Sequence, residues 1–82
     1  MATPNTQAIV ERFTQRIQER LDPERLDGPV RLDNTRTVVI IGLKDKGPIH
    51  VHTNHRIDDE GVEYVIRQIG LVPSLASLVK QG

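Results

Sequence analysis

Three histidines, His50, His52 and His55, stand close together past the middle of the chain, and they are all the histidine it has. Imidazole is a common zinc ligand, and three of them would leave an open fourth position where water could be activated. On an extended strand His50 and His52 project from one face, about 7 Å apart, and His55 follows at the strand end. These three are the candidate metal ligands. A second group is cationic. Arg12, Arg16 and Arg20 recur every four residues, which aligns them on one helical face as a candidate partner-binding stripe. Glu19, Asp22, Glu24 and Asp27 lie close enough in sequence to offset their mutual repulsion, so a solvated, ion-paired face is the plainer account. A third group, Asp58, Asp59 and Glu60, is explained by the preference of carboxylates for the start of a helix. The serines are Ser74 and Ser77, with no nucleophile–base order around them. The glycines are scattered and form no phosphate loop. No catalytic residue and no cofactor is therefore assigned, and the expectation is a protein that is not an enzyme.

The segment from His50 to His55, HVHTNH, resembles the H-x-H-x-D-H element of the metallo-β-lactamase superfamily. That resemblance implies a metal site in a far larger sandwich fold with further ligands downstream. It covers six residues, has Asn54 where the element has aspartate, and is followed by no later histidine. The family is therefore not assigned, and the histidines stand as candidates on their own spacing.

A few short elements must position these groups. Ile9, Phe13, Ile17 and Leu21 recur at helical spacing, with Val10 beside them, and predict an amphipathic helix over 3–21. Thr3 suits its N-cap and Pro4 its first turn. Residues 19–33 carry an echo, ERLD, ERLD and VRLD, each Asp standing before a turn residue. This predicts a turn-rich connector in which Asp22 caps a short helical turn at Pro23 and Val30 to Leu32 make an edge strand. Thr37 to Leu43 is the strongest strand, with β-branched residues on both sides of the pleat. A strand of that kind belongs mid-sheet with both faces covered. Lys44 to Gly47 supplies the turn. Pro48 opens the second strand, which points Ile49 and Val51 one way and His50 and His52 the other. Asp58 predicts the next N-cap, Ile57 and Val62 a hydrophobic staple, and Gly70 the stop. Between them Val62, Val65, Ile66 and Ile69 form the apolar stripe. Pro73 to Lys80 predicts a short last helix burying Leu75, Leu78 and Val79.

The fold expected is thus a single small α+β domain over 1–82. A small antiparallel sheet, a β-hairpin plus a short edge strand, packs with an N-terminal helix and two C-terminal helices. Eleven basic residues balance eleven acidic ones, which argues against a dedicated nucleic-acid binder. Phe13 and Tyr64 are the only aromatics, which weakens base stacking. No apolar run approaches the roughly 18 residues of a membrane helix, and the N-terminus lacks the pattern of a secretory signal. The absence of cysteine suits a reducing compartment, so a cytoplasmic location is expected. A chain this small hides a modest share of its surface, which makes a homodimer attractive. The function expected is a non-catalytic protein-interaction module. In size and plainness it looks like the short accessory proteins that phages and mobile elements encode to inhibit host machinery. The alternatives are a small-ligand or metal-binding dimer using the His50/His52 face, and a nucleic-acid accessory protein using the Arg12/Arg16/Arg20 stripe.

Overall fold

A computed structural model describes residues 6–80, so the expected Thr3 cap and Pro4 lie outside the described residues. The order is helix α1 (Thr6–Glu19), a 3₁₀ turn (Pro23–Arg25), strands β1 (Arg31–Leu32), β2 (Val38–Leu43) and β3 (Gly47–His52), helix α2 (Asp59–Leu71) and a second 3₁₀ turn (Ala76–Leu78). The strands form one antiparallel sheet in the order β1-β2-β3. This is the expected small α+β fold.

Helix α1 ends at Glu19 because its last amides tighten. The N–H groups of Arg20 and Leu21 donate to the carbonyls of Ile17 and Gln18, at 3.0 and 3.1 Å. Leu21 then leaves the helix as a bridge partner of Val79, yet stays fully buried. The repeated aspartates punctuate the connector. Asp22 caps the turn at Pro23, its side chain accepting the Glu24 N–H at 3.0 Å. Asp27 donates its N–H to the Gly42 carbonyl at 2.8 Å, which ties the connector to β2. Asp33 accepts the N–H groups of Thr37 and Val38 at 3.1 and 3.2 Å and the Thr35 hydroxyl at 2.8 Å. The Thr35 hydroxyl above all, helped by those backbone donors, holds the Asp33 carboxyl below its ordinary range. The same turn carries Arg36 at a positive φ of 62°.

Strand β2 is central. Its odd residues Val39, Ile41 and Leu43 are buried, while Val38 and Ile40 on the other face are half-buried. All of the core lies on the odd side. Phe13 and Ile17 of α1, Val62, Val65, Ile66 and Ile69 of α2, and Leu78 form one cluster with Val39, Ile41 and Leu43. Ile57, half-buried, packs against that cluster from in front of α2. The structure corrects the expectation that both faces of β2 would be covered. The two helices pack side by side over one face, joined by ion pairs between Arg16 and Asp59 and between Arg20 and Glu63. Among the described residues no helix crosses the other face, on which Arg31, Ile40 and His50 are cross-strand neighbours.

Two further expectations change at the C-terminal end. Helix α2 runs through Gly70 to Leu71, and Val72 is extended at φ −91° and ψ 114°. Pro73 sets this stop, because the residue before a proline is driven out of the helical region. The last helix shrinks to the turn Ala76–Leu78. Its backbone is drawn into strand-like pairing with the exit of α1: Leu21 bridges Val79, and the Lys80 N–H donates to the Arg20 carbonyl at 2.9 Å. Leu78 is fully buried, and Leu75 and Val79 still pack on the core. No helix among the described residues is long and apolar enough to cross a membrane.

Candidate functional site

The histidines sit at the end of β3 and in the turn after it. His50 and His52 are exposed on the uncovered sheet face, opposite Ile40 and Val38 of β2. Thr53, fully buried, closes the strand with its N–H donated to the Thr37 carbonyl at 2.8 Å. The chain then reverses. Arg56 donates its N–H to the Thr53 carbonyl at 3.3 Å, and Asn54 and His55 both lie at φ 60°. Two successive positive φ values define a type I′ turn, whose second position favours glycine. His55 in that position folds its ring back onto His52, edge to face, with centroids 5.2 Å apart. The His52 Nδ1 accepts the Asn54 N–H at 3.0 Å. Among the described residues no group of three histidine, aspartate or glutamate side chains comes together to hold a metal ion.

The acidic residues beside the histidines are engaged in building α2. Asp58 is the N-cap, its side chain accepting the Gly61 N–H at 3.0 Å. Arg56 grips Asp58 at 2.7 Å and reaches Glu60 at 3.1 Å. The Arg56 hydrogen bonds, followed by the Gly61 N–H, hold the Asp58 carboxyl down at about 2. Gly61 makes this close packing possible: a Cβ there would stand 2.8 Å from the Arg56 carbonyl carbon and 3.1 Å from Phe13. The arginine stripe divides. Arg16 and Arg20 pair with Asp59 and Glu63 at 3.3 and 2.6 Å, one rung per turn. Arg12 makes no ion pair among the described residues. Exposed pairs of this kind stabilise little, but they occupy two of the three cations of the stripe.

The outer edge of β3 is a feature that residue types alone do not announce. Antiparallel partners alternate between pairs that exchange hydrogen bonds and pairs that do not. The bond from Thr53 to Thr37 makes that pair a bonded one, so Val51 with Val39 and Ile49 with Ile41 are bonded pairs too. The intervening residues Pro48, His50 and His52 therefore turn their backbone groups outward. Among the described residues nothing pairs with that side. Pro48 is consistent with this geometry, because the donor it lacks faces the free edge. That proline is the one signal of the edge present in the sequence. Beneath the edge, a groove of about 230 Å³ runs between β3 and α2. Ile49, Val51, Tyr64, Gln68, Val72 and Leu75 line it with Ile69 and the edge residues His50 and His52, and no lysine, arginine, aspartate or glutamate does. Val72 and the neighbouring Leu71 are both exposed, at 42% and 69%, which leaves apolar surface at its mouth. Comparison with protein-family models, curated proteins and solved structures returns no match.

Proposed function

We propose that this chain is a non-catalytic protein-interaction module and that its binding element is the outer edge of β3. The observation that carries the reading is the row of unpaired backbone groups on His50 and His52 above a groove without lysine, arginine, aspartate or glutamate. An extended partner segment that adds to such an edge gains main-chain hydrogen bonds, while its alternate side chains enter the groove and set specificity. The segment this edge suits is uncharged at its centre and alternates apolar residues, facing Tyr64, Val72 and Leu75, with polar ones on the open face. The non-catalytic part of the reading is supported by the acidic residues near the histidines, which are engaged in capping and ion pairs. An accessory or inhibitory role in the cytoplasm, in which the module occupies a strand that another protein needs, is the biological form we favour.

Selection of linear heptapeptides by display on the immobilised chain tests the edge directly. The selected sequences are expected to alternate apolar and polar residues and to lose binding to a His50→Pro variant. Proline at that position removes only an outward-facing donor and leaves the bonds to β2 in place. Peptides that bind this variant as well as the parent would show that the edge is not the site.

A further inference from the structure

Backbone pairing at β3 accepts many segments, and the surface beside the edge narrows them. We infer that the segment adding to β3 carries an aspartate or glutamate side chain at its end nearest Asn54, held by Arg67 and Tyr64 of α2. The inference rests on the strand-addition reading and names the partner's chemistry within it.

Past Tyr64 the groove beneath β3 opens into a second hollow of about 380 Å³. Asn54 and Arg56, after the strand, line it with Asp59, Glu60, Glu63 and Arg67 of α2. Tyr64 lines both hollows. A segment laid along β3 and continued beyond His52 therefore passes from apolar lining to charged lining.

Ion pairing within the chain decides which charge such a segment meets. Each acid of the second hollow is held by an arginine of this chain: Asp59 by Arg16 at 3.3 Å, Glu60 by Arg56 at 3.1 Å and Glu63 by Arg20 at 2.6 Å. Arg67 is the lining cation without an ion pair among the described residues. Its natural partner one turn back is Glu63, and that carboxylate is drawn away to α1. Tyr64, Arg67 and Gln68 stand at the spacing that makes helix neighbours. Among the described residues none of their side chains makes a hydrogen bond or an ion pair. Arg67 is exposed and Tyr64 half-buried, so both are within reach of a partner. A guanidinium and a phenol both donate to a carboxylate, and the planar fork of arginine matches its two oxygens. A cation arriving there would be repelled by Arg67 and would find the nearby acids already engaged.

A side chain fits this place better than a chain end. The backbone of an added strand lies in the layer of the sheet, whereas Tyr64 and Arg67 belong to the helix layer beneath it. Only every second residue of the segment points down to that layer. Two such residues stand level with Ile49 and Val51, over the apolar groove. The next in the same row stands level with Thr53, at the Tyr64 end. The pattern is thus two apolar residues and one acid, each two apart, whichever way the segment runs.

Heptapeptides selected by display on the immobilised chain are expected to show that pattern, with the acid at one end. A selected peptide synthesised with both termini blocked is expected to weaken about tenfold when its acid is replaced by the corresponding amide. Arg67→Glu is expected to bind the acidic peptide about tenfold more weakly and to prefer a peptide with lysine in that place, a reversal that misfolding does not produce. Tyr64→Phe keeps the ring that lines both hollows. It is expected to weaken the acidic peptide about fivefold and its amide version little. Acidic peptides that bind Arg67→Glu as tightly as the parent overturn the inference. So does a selection without the acid, or binding that needs a free C-terminal carboxylate. If peptides bind the parent, lose binding to His50→Pro and ignore Arg67→Glu, the acid falls and strand addition stands. If they bind His50→Pro as well as the parent, both fall.

Discussion

The two edges of the sheet are finished in different ways. Along β1 the outward-facing amide of Val30 donates to the side-chain oxygen of Gln18 on α1, at 3.1 Å. The connector before β1 also reaches across to the central strand, with Leu26 bridging Leu43 and Arg25 accepting the Lys44 N–H at 3.1 Å. Arg25 adds a side-chain bond to Ser77 at 2.7 Å and an ion pair to Asp45 at 3.8 Å. Along β3 none of this exists among the described residues: the backbone of His50 and His52 points outward without a partner. The faces differ in a parallel way. Val39 and Ile41 are buried under two helices, while Val38 and Ile40, of the same residue types in the same strand, are only half-covered. One side of the molecule is thus tied down by its own chain, and the other leaves strand backbone exposed. Residue type did not make that distinction; the location of the helices did.

The contrast between faces predicts the largest effect. Ile41→Ala removes a fully buried side chain and is expected to cost about 2–5 kcal/mol in chemical denaturation. Ile40→Ala, one residue away on the half-covered face, is expected to cost about 1 kcal/mol. Equal losses would mean that the open face is covered in solution, and would sharpen the case for a partner over it.

On the closed side, Gly61→Ala is expected to cost about 1–3 kcal/mol, as overpacking does, because the added carbon meets Arg56 backbone rather than a movable side chain. A neutral result in thermal unfolding would show that the junction before α2 relaxes freely. The closed edge is probed by Gln18→Ala. It leaves the Val30 N–H unsatisfied in a half-buried setting, with an expected loss of about 1 kcal/mol. The same variant should speed hydrogen exchange at the Val30 amide.

On the open side the expected sign reverses. His55→Gly relieves a left-handed non-glycine residue in a type I′ turn and is expected to stabilise by about 1 kcal/mol. Destabilisation would show that the His52–His55 ring contact outweighs the backbone strain.

The smallest effect is electrostatic. Asp58 is held at about 2 in the folded chain, below the ordinary aspartate value of roughly 3.9. The unfolded chain therefore binds the proton first as pH falls, so the stability Asp58 contributes is complete above the ordinary value. It is lost between there and about 2. Denaturant midpoints between pH 2 and 5 are expected to fall less steeply in Asp58→Asn, which keeps a capping oxygen but has no proton to gain. Parallel curves for the two proteins would remove Asp58 from the acid transition.

Much of this architecture was legible in the sequence because its determinants are local. Helical spacing marked Phe13 and Ile17, alternation marked β3, and Asp22 and Asp58 announced caps that depend on neighbours two or three residues away. The ends that moved were those where a distant segment competed. Val79 and Lys80 were drawn into pairing with Leu21 and Arg20, which ended the last helix after one turn. Gly70 was overridden because Pro73 acts more strongly on its preceding residue than an exposed glycine acts on a helix. The candidate site shows the same division. Composition and spacing determined that His50, His52 and His55 would lie together at a strand end, and that acids would start the following helix. Only the tertiary structure decided that both helices share one face, that Asp59 and Glu63 take up Arg16 and Arg20, and that β3 is an edge. The physical reason is that hydrogen-bonding direction and burial belong to pairs of elements, so apart from a missing donor such as that of Pro48 a strand's own residues do not reveal which of its sides will be left without a neighbour.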